Sequence, residues 1–202
     1  MAGWPHYAEA YHQLAHLHQD TGDPIRQEAA LRKAIERDAR SAEIRLELGN
    51  VLCGRKEYTE AVTWYRRAVE VDPHHVESHH QMGHALSHLK DQEGAIAAFT
   101  NAIAHGARGK FYADRAEAHA AIWIAGGRQD AARLEQVMKD CTTCIEKEPN
   151  LWRSWLWRAR GHRARRSFEE ARADYAKARE RAPHLDAQIR TELDELTKEE
   201  RP

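Results

Sequence analysis

Apolar residues recur along this chain as paired helical stripes. Between residues 42 and 75, Leu48, Val51 and Leu52 fall three and four apart and make one apolar face. Ala61, Val62, Tyr65, Ala68 and Val69 make a second. Gly54 is expected to end the first helix as a left-handed C-terminal glycine, and Pro73 to stop the second. Gly49 and Ala61 are small where the two helices should cross, which lets the backbones approach closely. Neither helix can bury its stripe alone, so the pair needs neighbours. β-branched runs bounded by turn residues are nearly absent, which excludes a sheet.

The same frame returns every 34 residues. Numbering each unit from 1, Leu48, Gly49, Leu52, Ala61, Tyr65, Ala68 and Pro73 take positions 7, 8, 11, 20, 24, 27 and 32. In residues 76–109, Met82, Gly83, Leu86, Ala95, Phe99 and Ala102 take positions 7, 8, 11, 20, 24 and 27. Residues 8–41 fit with Leu14, Ala15, His18, Leu31 and Ala34 at 7, 8, 11, 24 and 27, and Trp4-Pro5 opens the first helix. In residues 152–185, Arg158, Ala159, His162, Ala171, Tyr175, Ala178 and Pro183 fill the frame. Arg158 and His162 are polar where a core residue is expected, so that helix either packs loosely or bonds across the turn. The unit between is too long. Ala116 sits at its position 8 and Val137, Cys141 and Cys144 at 20, 24 and 27, with the excess around Gly126-Gly127. Both of its helices are expected to be lengthened, with Trp123 on the extension of the first.

This spacing resembles the tetratricopeptide repeat, a helix–turn–helix unit of 34 residues. The resemblance implies an all-α, right-handed α-solenoid of five helix pairs. It implies one domain over residues 1–202, with repeats at about 8–41, 42–75, 76–109, 110–151 (carrying the insertion) and 152–185. The segment 186–200, with Leu185, Ile189, Leu193 and Leu196 in a narrow stripe, reads as a capping helix.

Composition adds exclusions. The 202 residues are 31% charged with a net charge of −1, which gives no global attraction to nucleic acid or membrane. The N-terminus lacks a basic and apolar leader, and the longest apolar runs are far short of a membrane span. Three cysteines, two of them on a helix, point to a reducing compartment, so a cytoplasmic protein is expected.

Candidate chemistry is sparse. His80, His84 and His88 are four apart and share a helix face, at positions 5, 9 and 13; His12 and His16 hold 5 and 9 in the first repeat. Two histidines at i and i+4 can chelate zinc or nickel, which makes His80 and His84 the metal candidates, with Glu77 and Glu47 as neighbours. A polar face rich in histidine accounts for the same residues without an ion, and no cofactor is expected. Cys141-Thr-Thr-Cys144 lies mid-helix at core positions and reads as packing rather than as a redox pair. No HExxH, phosphate-cradling glycine loop or GxSxG occurs, so no enzyme is expected.

Charge is uneven. Residues 152–185 hold ten Lys or Arg against four Asp or Glu, and WRSWLWRARGHRARR places Arg153, Trp157 and Arg160 on one face beside Arg163. The resemblance implies a protein- or peptide-binding adaptor using the concave groove lined by the first helix of each pair. Its expected groove residues are Asn50, His80, His84, Lys110, Arg153, Trp157, Arg160 and Arg163. Glu9, Glu43, Glu47 and Glu77 give the N-terminal half an acidic groove, so the partner is expected to lay an acidic stretch over repeat five, anchored at Trp157. Of the family's two-carboxylate clamp only Asn50 and Lys110 match, so binding of chaperone tails is not expected. The alternatives are a self-associating scaffold using the uncapped first repeat, and polyanion or RNA binding through the Arg/Trp helix 152–166. The near-neutral total charge disfavours nucleic acid.

Overall fold

The computed structural model describes residues 5–200, and their side chains from residue 7 onward. Within it the chain is all α: eleven α-helices and one 3-10 turn, with no strand among the described residues. Trp4 lies outside that range, and the first helix begins at Pro5. By contact the chain divides into two compact units, residues 1–106 and 107–202.

The first unit holds three helix pairs: α1 (Pro5–Asp20) with α2 (Pro24–Arg37), α3 (Ala42–Gly54) with α4 (Tyr58–Val71), and α5 (Val76–His88) with α6 (Gln92–His105). The second unit holds α7 (Gly109–Ala125) with α8 (Ala131–Lys147), α9 (Trp152–Ala164) with α10 (Phe168–Arg181), the 3-10 turn Pro183–Leu185, and α11 (Asp186–Glu200). The 34-residue frame is reproduced residue by residue. α3, α5 and α9 each span positions 1–13, and α2, α4, α6 and α10 each span 17–30. The lengthened fourth repeat is as expected: α7 and α8 have 17 residues each, against 13 and 14 in the regular pairs.

The second and third pairs each close on one contact. Gly49 faces the buried ring of Tyr65, and a Cβ built on Gly83 would stand 2.5 Å from the ring of Phe99. Position 8 is therefore small because position 24 is an aromatic ring lying against its backbone. In the fifth repeat Ala159 and Tyr175, both fully buried, hold the same positions. Pairs then stack through buried apolar residues: α2 on α3 and α4 on α5 in the first unit, α8 on α9 in the second.

The turn inside each pair corrects one sequence expectation. Gly54 is the last helical residue of α3, and the left-handed residue is Lys56, with φ +65°. Lys90 (φ +66°), Arg166 (φ +59°) and Gly22 (φ +70°) hold the same position 15. The backbone N–H of Glu57 donates to the Leu52 carbonyl and that of Lys56 to the Cys53 carbonyl, both 2.9 Å, so the turn is a Schellman motif with lysine at C′. The reversal comes after the helix has used Gly54 as an ordinary residue. The next helix starts on a side-chain cap where the residue allows it, as where Asp91 accepts from the N–H of Gly94 at 2.9 Å.

Two substitutions in one repeat test this account with opposite signs. Gly83→Leu forces a side chain into the Phe99 ring and should lower stability by about 1–3 kcal/mol, with loss of amide protection spreading into α4. Lys90→Gly removes a Cβ from a left-handed position, where an L-residue costs roughly 1–2 kcal/mol, partly offset by glycine's extra unfolded-state entropy. It should raise stability by about 0.5–1 kcal/mol. Urea denaturation of both variants measures the pair. An unchanged midpoint for Gly83→Leu contradicts the register.

Candidate functional site

In the second unit the first helix of the fifth repeat, α9, carries Arg153, Arg160 and Arg163 on one face and buries Leu156 and Ala159 in the core. The core beneath it is Leu156, Ala159, Ala171, Tyr175 and Ala178, closed by Ile189 and Leu196 of α11. α11 thus covers the apolar side of repeat five, as a capping helix should.

The arginine face is met by carboxylates of the same unit. Arg153 donates to Asp114 at 2.9 Å and Glu117 at 3.1 Å, and Trp157 Nε1 donates to Glu117 at 3.3 Å. Arg160 forms a bidentate pair with Glu192, Nε to Oε2 at 3.0 Å, and lies over the Trp157 ring at 4.7 Å. Arg163 reaches Glu195 at 3.0 Å and Glu199 at 3.1 Å. Tyr175 Oη also donates to Glu192, at 2.8 Å. Burial pushes the Glu192 carboxyl upward, but the Arg160 guanidinium and the other donors outweigh it and hold it below the ordinary carboxylate range. The acidic stretch lying over repeat five in this structure is α11 itself.

Arg158 does bond across the turn. It makes a bidentate pair with the buried Asp174, at 2.7 and 2.9 Å, and His162 Nε2 stands 3.7 Å from the same carboxylate. In repeat four Arg115, also at position 7, pairs with the fully buried Asp140 at 2.8 and 2.7 Å. In both repeats of this unit an ion pair between positions 7 and 23 replaces the apolar contact that Leu48 makes in repeat two.

Beside the arginine face is a cleft of about 710 Å³. Its apolar lining is Trp123, Ile124, Trp157 and Ala164, and its charged lining is Arg128, Arg160, Arg163 and Arg166 together with Glu192, Glu195 and Glu199. Trp123 stands on the extra turn of α7 and packs on Leu134 and Met138 of the lengthened α8, so the insertion in repeat four builds this wall. Its Nε1 is buried with no hydrogen-bond partner. Among the described residues neither Arg128 nor Arg166 makes an ion pair with a carboxylate side chain; Arg166 donates to the Glu199 backbone carbonyl at 3.3 Å. Trp123, Arg128 and Arg166 line this cleft and were not among the groove residues expected from the sequence, although the over-length repeat marked where they lie. Lys110, the remaining expected groove residue of this unit, is half-buried with its ammonium 5.3 Å from the Phe111 ring centroid.

Asn50, His80 and His84 belong to the first unit. Asn50 is exposed and accepts from Tyr65 Oη at 2.9 Å. His80 is buried and its Nε2 lies 3.1 Å from Nε2 of His84, so these two are together. His88 does not join them; it stacks on Tyr58 with ring centroids 4.4 Å apart. The acidic residues expected here meet histidines: Glu43 with His75 at 3.2 Å, and Glu47 with His12 at 2.9 Å. Cys141 and Cys144 are free and buried in the helix core, where burial raises both thiols, Cys141 well above its ordinary range. No described helix is long and apolar enough to cross a membrane.

Family models agree with the repeat frame. One described as TPR repeat matches residues 49–90, and one described as Tetratricopeptide repeat matches residues 8–41. No curated protein matches the chain. Among solved structures, MamA aligns with TM-score 0.76 at 17% identity, over 90% of this chain and 94% of MamA. PilF of Pseudomonas aeruginosa aligns with TM-score 0.71 at 20% identity, over 87% of this chain and 77% of that one. YrrB, described as a TPR protein with an unusual peptide-binding site, aligns with TM-score 0.66 at 19% identity over 78% of each chain. At such identities the likeness is one of fold. With the 34-residue frame realised helix by helix and family models matching residues 8–41 and 49–90, the chain is a tetratricopeptide-repeat protein.

Proposed function

We propose that this protein is a non-catalytic adaptor that binds a protein segment in the cleft of its second unit, over repeat five. The observation that carries the reading is the cleft itself: two tryptophans and an isoleucine beside four arginines, of which Arg160 and Arg163 are paired with the lining glutamates and Arg128 and Arg166, among the described residues, are not, in a fold whose structural relatives include one with a peptide-binding site. The partner segment places an apolar or aromatic side chain against Trp157 and Trp123. Its carboxylates go to Arg128 and Arg166, because Arg153, Arg160 and Arg163 already hold carboxylates of the chain. An acidic segment with an apolar anchor is thus the preferred ligand, as the sequence suggested, with the apolar anchor dominating. RNA binding through α9 is disfavoured by the same pairing.

Self-association has its own support. Tyr7, Leu14, Leu17 and Ile25 are exposed large apolar side chains on α1 and the first turn of α2, Ile25 at 70%. Such a group of exposed apolar side chains on a repeat is a candidate contact for a second copy of the chain.

Two measurements separate these readings. Peptides selected from a display library on the wild-type chain should combine an aromatic or aliphatic residue with flanking Asp or Glu. Trp157→Ala, checked for fold by circular dichroism, should raise their Kd about tenfold or more, chiefly through faster dissociation. The double change Arg128→Ala and Arg166→Ala should instead slow association and flatten its salt dependence. Wild-type binding by both variants contradicts the site. For self-association, light scattering should show a dimer that Leu17→Glu dissociates. A wild-type chain that stays monomeric at high concentration removes that reading.

A further inference from the structure

Histidines 12 and 16 stand one turn apart on α1, and Glu47 approaches them from α3, the first helix of the next repeat. His12 Nε2 lies 2.9 Å from both carboxylate oxygens of Glu47, and His16 Nε2 lies 3.8 Å from Oε1. The two imidazole rings are 4.5 Å apart and tilted by 43°. The three ligand atoms lie within 4.8 Å of one another. From this geometry we infer that His12, His16 and Glu47 form a binding site for a divalent transition-metal ion, zinc in the first place, that clamps repeat one to repeat two.

The chemistry and the spacing both fit. Zinc takes histidine nitrogen at ~2.0–2.1 Å and carboxylate oxygen at ~2.0–2.2 Å in a tetrahedral set, which puts its ligand atoms ~3.3–3.5 Å apart. The observed 2.9 and 3.8 Å separations bracket that spacing and all three ligand atoms lie within 4.8 Å of one another, so rotamer adjustments of the two histidines and the glutamate would seat the ion. Two imidazoles with one carboxylate favour zinc, nickel or copper over magnesium and calcium, which prefer all-oxygen shells.

Accessibility suits a ligand site. The His12 and Glu47 side chains are 17% and 18% exposed, enough to hold the ligands in place, while His16 is 43% exposed and opens the fourth coordination position to solvent. That position is free for water or for a side chain of a bound protein. The ligands come from two successive repeats, so the ion would tie the first helix pair to the second.

The pairing is a register property. The histidines occupy positions 5 and 9 of repeat one, and Glu47 occupies position 6 of repeat two. The next step along this unit breaks the pattern, with Leu46 and Asn50 at positions 5 and 9 of repeat two and Gln81 at position 6 of repeat three. Stacking by itself does not produce the triad, so the side chains carry the specificity.

The test is calorimetric titration of the full chain with zinc chloride at neutral pH, on wild type, His16→Ala and Glu47→Gln. His80 and His84 remain in all three proteins, so any ion they take contributes equally. We expect a micromolar site in the wild type that raises the melting temperature, and its loss or weakening by at least about tenfold in both variants. Cobalt substitution should give the visible d–d absorption of a low-coordinate site in wild type and lose it in both. Both variants keep helix α1, because His16 and Glu47 are outside the apolar core, and circular dichroism checks this. Zinc uptake by His16→Ala and Glu47→Gln with wild-type affinity and stoichiometry, or no uptake by wild type, overturns the proposal.

Discussion

The packing of the second and third helix pairs depends on a glycine backbone approached by an aromatic ring. Tyr65 lies against Gly49 and Phe99 against Gly83 so closely that a single Cβ would collide. The ring fills the space that a side chain at position 8 would take, and it fixes how near the two helices come. Once that distance is set, the turn must reverse the chain within three residues, which explains why a left-handed residue recurs at position 15 even where it is lysine or arginine. Local strain at Lys56, Lys90 and Arg166 is tolerated because the Schellman hydrogen bonds and the core contacts over-determine the turn.

The second unit solves the same packing problem with charge. Arg115–Asp140 and Arg158–Asp174 stand where repeat two uses Leu48. Buried pairs of this kind add little net stability over an apolar contact, yet breaking one by removing a partner costs about 3–5 kcal/mol. They therefore act on specificity of pairing: an arginine at position 7 accepts only a second helix carrying an acid at position 23. Farther out, Arg160 and Arg163 tie α9 to the carboxylates of α11. The cap is held by its apolar stripe, Ile189 and Leu196, and oriented by these pairs.

Much of this was legible in the sequence because it is local and periodic. Positions 8, 20, 24 and 27 announce helix crossings, so the frame, the lengthened fourth repeat and the cap follow from spacing alone. Gly54 misled because glycine favours a left-handed C-terminus in general, while here the left-handed residue comes two positions later, at Lys56. The arginines of α9 were visible as a surplus of charge, but their partners were not. Glu117, Glu192, Glu195 and Glu199 are 32 to 36 residues away from the arginines they meet, and only stacking brings them close. Trp123 was placed correctly on the extension of α7, yet nothing in the sequence said that this extension walls a cleft.

The basic face of repeat five is neutralised from within, and under the proposed function recognition there rests on the tryptophan cleft rather than on bulk positive charge. Titration of a fluorescent single-stranded RNA oligonucleotide at physiological salt tests it directly, with the wild-type chain beside the triple variant Glu192→Gln, Glu195→Gln, Glu199→Gln. The account predicts no binding by wild type and a gained, steeply salt-dependent binding by the variant, whose arginines are released to phosphate. Tight, salt-dependent binding by the wild-type chain that the three substitutions leave unchanged would contradict it.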